Sequence, residues 1–150
     1  MNPVKYQKTD EIKEKEGKIY DAARGKWVKA TPEERVRQAL VASLTEELGY
    51  PLERIREEVP IKMGSTYASK KADVVVYAEE PVDTMHIIFE TKKPKRKDGI
   101  EQLESYMNAT GVYFGSWLNG TESAFLFRRD PNIFEYLASS AQLQRYSDDV

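Results

Sequence analysis

Two runs of β-branched and aromatic residues dominate the hydrophobic pattern, Ala72-Asp73-Val74-Val75-Val76-Tyr77 and Ile87-Ile88-Phe89-Glu90-Thr91-Lys92. The polar Glu79-Glu80-Pro81-Val82-Asp83-Thr84 between them has turn chemistry, so the pair predicts a β-hairpin with a slightly long loop. Upstream, Thr31-Pro32-Glu33-Glu34 opens a helix, with Thr31 as N-cap, Pro32 at the first helical position and Glu34 at the capping-box position. That helix runs to Leu48 and stops at Gly49, and Val36, Leu40, Val41, Leu44 and Leu48 form its apolar stripe. Tyr50-Pro51 turns the chain, residues 55–61 read as a first core strand, and residues 62–71 as a polar loop. Downstream, Asp98 can cap a second helix over residues 99–109, ended by Thr110-Gly111, with Ile100, Leu103 and Met107 facing inward. Residues 112–118 are apolar on both faces, as a buried strand is. Asn119-Gly120 makes a turn, residues 123–127 return as a strand, and residues 131–146 read as a short helix. The order helix, three strands, helix, two strands, helix implies an α/β fold. Its mixed central β-sheet is flanked by helices, with an antiparallel hairpin and a helical crossover to a parallel strand.

Residues 1–30 are charge-rich and read as an N-terminal arm, partly extended or hairpin, packing Tyr20 and Trp27 on a domain of residues 31–150. Asp10 to Glu16 mixes charge signs and reads as a frayed helix or a disordered stretch. A chain of 150 residues fits one domain with a sizeable core. No apolar run approaches the ~20 residues of a membrane span, and the N-terminus lacks a signal-peptide core, so a cytoplasmic location is expected. The absence of cysteine excludes disulfides and thiolate zinc sites. The net charge of −2 means that any nucleic-acid contact comes from a local patch. The chain has no phosphate-binding loop of the ATPase type.

The hairpin carries the candidate chemistry. Folding symmetrically about the turn pairs residue 73 with residue 90 and puts Asp73 and Glu90 on one side of the sheet, joined by Lys92. Two carboxylates about 5 Å apart repel by roughly 3 kcal/mol at an effective dielectric near 20. A bound divalent cation turns that repulsion into ligation, since hard cations such as Mg²⁺ take carboxylate oxygens. A lysine beside them can hold a nucleophilic water or offset charge at a phosphate. An Asp followed by Glu-x-Lys on the next strand is therefore the chemistry of metal-dependent phosphodiester hydrolysis. Taken alone, each is also an ordinary polar residue at a strand end.

Asp73, Glu90-Thr91-Lys92 and the downstream pair Gln102 and Tyr106 together resemble the PD-(D/E)XK nuclease superfamily. More narrowly they resemble the N-terminal nuclease domain of type I restriction enzyme R subunits. Ala72 stands where the nominal motif has Pro. The resemblance spans residues 19–127 and implies a restriction-endonuclease-like core and a Mg²⁺-dependent DNA endonuclease, with Mn²⁺ as a possible substitute. Asp73 and Glu90 would ligate the ion with the Thr91 carbonyl, and Lys92 would orient the water. Glu34-Arg35 matches the Glu-Arg that opens the first helix in relatives, where such a Glu is an acidic site residue. Glu34 thus has two readings, helix cap or site residue. Gln102 and Tyr106, one turn apart on the second helix, would support the site or contact DNA. Type I R subunits carry a helicase motor and work with methylation and specificity subunits, so those are the expected partners beside DNA.

Lys92-Lys93-Pro94-Lys95-Arg96-Lys97 places five cations directly after the acidic site. It reads as a phosphate-contacting patch, or as a solvated charge run. Arg37 lies at the angle of the first helix's apolar stripe and reads as a snorkelling arginine or one turned toward an acidic site. His86 reads as an ordinary strand residue. The competing function is a nuclease-fold module without activity that binds DNA or a partner protein.

Overall fold

The computed structural model describes residues 13–79 and 83–137. The apolar runs form a six-stranded sheet in the order β11-β10-β9-β8-β7-β4. Its strands are β4 (Ile55–Val59), β7 (Ala72–Tyr77), β8 (Met85–Thr91), β9 (Phe114–Leu118), β10 (Ser123–Asp130) and β11 (Ile133–Leu137). Among the described residues only β8 and β9 pair in parallel, and helix α2 (Ile100–Thr110) supplies the crossover between them. Helix α1 (Pro32–Ala42) precedes the sheet and runs on into a π-helical turn over Ser43–Glu47. A separate three-stranded sheet of β1 (Glu14–Lys15), β2 (Lys18–Asp21) and β3 (Lys26–Lys29) precedes α1, and β5 (Lys62–Met63) with β6 (Thr66–Tyr67) makes a small hairpin.

Each helix covers one sheet face. Leu40 and Leu44 of α1 and its extension pack on Val74, Val76, Ile87 and Phe89, which alternate along β7 and β8. Leu103, Tyr106 and Met107 of α2 pack on the opposite face, against Val75, Ile88 and Trp117. Helix α2 approaches β9 closely because residue 115 is glycine. A Cβ there would lie 2.5 Å from the Met107 sulfur.

Both strands beside the acidic end change face there. Ile55 belongs to the α1-side core and Val59 to the α2-side core, although simple alternation would put both on one face. Between them Glu58 adopts a left-handed conformation, φ 52°. Val74 and Ala72 of β7, opposite Glu57 and Val59, divide between the faces in the same way.

Several expectations change. Residues 133–137 are an edge strand paired with β10 and not a helix, because β-branched and aromatic positions there complete a meander; residues 138–150 lie outside the described residues. The stretch 62–71 contains the β5–β6 hairpin. Of residues 10–16, the part that is described includes β1, paired with β2. Asp98 does not cap α2: Gly99 is the N-cap, with no side-chain cap, and the Asp98 carboxylate is taken by Arg96. Tyr20 and Trp27 meet each other edge to face across β2–β3, and Trp27 remains exposed. The arm docks instead through Ile19 and Asp21, both fully buried.

Candidate active site

The register of the hairpin delivers the acid pair. Val76↔Ile87, Val75↔Ile88 and Val74↔Phe89 are paired, and Asp73 and Glu90 stand one step beyond the last of these pairs. There the Asp73 side chain turns toward β8, and its Oδ2 accepts the Thr91 amide at 2.9 Å. Glu90 is 3 % exposed, and its Oε1 has no hydrogen-bond partner among the described residues. Its Oε2 lies 3.9 Å from Lys92 Nζ. Burial, then the Asp73 charge and a hydrogen bond to Asp73, push the Glu90 carboxyl up to about 9. At neutral pH Glu90 therefore keeps its proton.

Lys92 follows β8, and its amide donates to the Leu118 carbonyl at 2.8 Å, extending the parallel ladder. Gly99, φ 109°, brings the start of α2 against it: a Cβ on Gly99 would lie 2.8 Å from Lys92 Cε and 3.5 Å from Glu90 Cγ. Tyr106 is buried on α2, and its hydroxyl donates to the Lys70 carbonyl at 2.9 Å. That bond ties α2 to the chain just before β7. Burial, then the charges of Glu90 and Asp73, raise Tyr106 to about 12, so it stays protonated. Gln102 is half-buried one turn earlier.

The two acids in the first turn of α1 have different surroundings. Glu33 is exposed at the helix start, within electrostatic reach of the acid pair: partial burial, then the Asp73 charge, raise its carboxyl, while Lys92, Arg37 and Arg96 oppose that rise. Glu34 is buried and accepts Arg37 at 2.9 and 2.6 Å and Gln38 at 2.9 Å. Burial works to raise Glu34, but these bonds outweigh it and its carboxyl falls below the ordinary range. Nor does Glu34 complete a capping box. Thr31 Oγ1 accepts the Glu34 amide, but the Thr31 amide donates to the Lys29 carbonyl.

Glu34 belongs to a second acidic group with Asp21 and Glu57, whose ligand oxygens lie within 4.8 Å of one another. The donor set there does not suit a cation, because two guanidiniums already fill it. Arg24 Nε sits 2.5 Å from Asp21 and 3.1 Å from Glu57, and Arg37 holds Glu34. Burial, then a hydrogen bond to Asp21, push Glu57 up to about 8, and the cluster is neutral with that proton in place. Burial works to raise Asp21, but the bonds from Glu57 and Arg24 hold it below its ordinary value. Arg37, held by Glu34, also feels the charge of Asp73, so this network backs the acid pair.

The cations after β8 are not equivalent. Arg96 is bound twice by Asp98 and Lys97 lies 3.6 Å from Glu122, whereas Lys93 and Lys95 are exposed with no ion pair among the described residues. His86 is half-buried in β8 with its ring edge to face with Phe114, at the opposite end of the strand from Glu90.

A family model described as the type I restriction enzyme R protein N terminus matches residues 32–139. The chain belongs to this family. The six-stranded mixed sheet with a helix on each face is accordingly the restriction-endonuclease-like core of an R-protein N-terminal domain. Comparison with curated proteins finds no match. The match begins at Pro32, so the β1–β3 sheet that supplies Asp21 and Arg24 lies before the matched part of this R-protein domain.

Sequence reasoning passed over Glu33 and the Asp21–Arg24–Glu57 set. A signal for Glu57 was present: it shares strand parity with the buried Ile55, and a carboxylate in such a position needs partners.

Proposed function

We propose that this domain hydrolyses DNA phosphodiester bonds with the help of Mg²⁺, for which Mn²⁺ can substitute. The observation that carries the reading is the pairing of half-buried Asp73 with buried Glu90, with Glu90 Oε1 unpartnered and Lys92 alongside. A buried Glu90 that keeps its proton beside a second carboxylate fits a divalent cation, which would replace that proton and take the spare oxygen. Asp73, Glu90 and the Thr91 carbonyl would hold it. When bound, such a cation supplies Lewis acidity, making water a stronger acid and offsetting phosphate charge.

The chain's own residues do the rest. Asp73 is oriented by the Thr91 amide and presents its other oxygen. Lys92 holds the attacking water or offsets charge that grows on the phosphate. Glu33, whose carboxyl feels the charges of Asp73 and Lys92, takes the acidic role that the resemblance would give to Glu34. Tyr106 fixes α2 and the approach to β7, with Gln102 beside it. Lys93 and Lys95 meet the DNA backbone, a sequence-independent contact, while Arg96 and Lys97 mainly shape the loop. A helicase motor and the methylation and specificity subunits are the partners expected to deliver DNA.

Calorimetric titration of Mg²⁺ or Mn²⁺ into the wild type and Asp73→Ala, with supercoiled-plasmid cleavage alongside, tests this. Binding confined to the wild type, with nicking lost in folded Asp73→Ala and Lys92→Ala, is the expected result. Absence of metal binding in the wild type would instead favour a nuclease-fold module that docks DNA or protein without cutting.

A further inference from the structure

The segment between β8 and α2 carries Lys93 and Lys95, and it has no helix or strand of its own, only a turn closed by the Arg96 amide on the Lys93 carbonyl at 3.2 Å. Its backbone is held from β9. Asn119, fully buried, donates from Nδ2 to the Arg96 carbonyl at 2.7 Å. Its Oδ1 accepts the Thr121 and Glu122 amides at 3.1 and 2.8 Å, so the side chain is fixed by the β9–β10 turn. Trp117, buried and paired with Glu90 in the parallel register, donates from Nε1 to the Asp98 carbonyl at 2.8 Å. The position of a Gly99 Cβ lies 3.4 Å from that nitrogen and 2.8 Å from Lys92 Cε. The indole therefore holds the 98–99 peptide against the Lys92 side chain, which is only 13 % exposed.

We propose that Trp117 and Asn119 are positioning residues that clamp residues 96–99 from β9, seating Lys92 beside Glu90 and presenting Lys93 and Lys95 on one surface. Two buried donors each spend their bond on a loop carbonyl that water would otherwise satisfy. Such bonds are costly to leave unmade once the donors are buried, so the closed loop is favoured over a loose one. The parallel neighbour of the catalytic strand thereby sets the geometry of the charges, although it contributes no charge itself. What the three lysines do once seated rests on the nuclease reading. The clamp rests on the hydrogen bonds alone.

The test is lysine reactivity in the intact protein without metal or DNA. A small acylating reagent is applied at limiting dose, and labelling at each lysine is read by mass spectrometry, with exposed Lys26 in β3 as internal reference. Trp117→Phe keeps a ring and removes the donor. Asn119→Asp keeps the turn acceptor and removes the donor. Thr121→Ala removes one bond within the same turn and leaves both clamp donors in place. In the first two, Lys92 labelling rises relative to Lys26 on the order of fivefold, the opening expected from one lost hydrogen bond. In Thr121→Ala it stays at the wild-type level. A folded Trp117→Phe or Asn119→Asp protein with wild-type labelling at Lys92 overturns the clamp, and so does an equal rise in Thr121→Ala. Because the assay uses neither ion nor nucleic acid, a wild type that binds no Mg²⁺ would remove the nuclease reading and leave this result standing.

Discussion

At the residue scale, Glu90 sets the pH behaviour of the site. Its carboxyl, pushed up to about 9 by burial and by Asp73, holds a proton in the metal-free fold that it would lose near its ordinary value in the unfolded chain. The folded state then binds more protons than the unfolded one between the ordinary carboxylate range and about pH 9, so metal-free stability falls as pH rises through that window. Glu90→Gln should remove its share of the decline. We expect a melting temperature at least about 4 °C above that of the wild type at pH 9 without metal, with a smaller difference at pH 5, checked by calorimetry. With Mg²⁺ the sign reverses. The ion must displace the proton, so affinity should rise with pH up to about 9 and binding should release a proton, measurable as a buffer-dependent heat. A buffer-independent heat would show that Glu90 is already ionised.

At the scale of elements, the N-terminal sheet is joined to α1 and β4 by buried charges. Arg37 is little exposed and holds Glu34, with Glu57 3.7 Å away. Arg37→Met leaves these carboxylates buried without their cation and should cost about 3 kcal/mol by denaturant unfolding. Glu57→Gln should be nearly neutral at pH 7, where burial and Asp21 keep Glu57 protonated, and stabilising above pH 8. A large loss in Glu57→Gln at pH 7 would place the charge on Glu57 instead.

This is also the scale at which the sequence was most and least legible. The β7–β8 hairpin could be read with its register, because alternation and turn chemistry are local, and so could the α1 stripe and the crossover through α2. Glu34 was singled out because its capping position is a sequence signal, but successive helix residues are turned by about 100°, so Glu34 is buried against Arg37 while Glu33 stays exposed and feels the charge of Asp73. The Asp21–Arg24–Glu57 set was not legible, because it joins the β2–β3 hairpin to β4, two separated segments whose meeting depends on the docked arm. The strand at Ile133–Leu137 has enough apolar positions to read as a helix face, and only an open sheet edge beside it decides otherwise.

At the scale of the whole molecule, a net charge of −2 leaves DNA contact to a small surface. Two of the cations after Lys92 are engaged by Asp98 and Glu122, so Lys93 and Lys95 should dominate. Binding of a short duplex in Ca²⁺ should weaken with salt, and the double variant Lys93→Ala/Lys95→Ala should lower the log–log slope by about 1.8, the share of two phosphate contacts. Arg96→Ala/Lys97→Ala should change it less. Equal losses in the two double variants would mean that the intramolecular pairs open on binding. Among the described residues no helix is long and apolar enough to cross a membrane.

The placement of the acid pair one step past the last β7–β8 pair also bears on how the chain folds. The hairpin closes over a short separation and so should form among the earliest contacts, ahead of the parallel β9, whose pairing spans the α2 crossover. Zipping from the turn outward brings two carboxylates together at its final step. That step needs a proton or a cation to proceed cheaply. Refolding without metal should slow as pH climbs from 6 to 9, and Glu90→Gln or added Mg²⁺ should restore the rate, as stopped-flow fluorescence of Trp117 and Trp27 can follow. On the function proposed above, chemistry placed at the end of a zipper would make the ion a folding partner as well as a reagent.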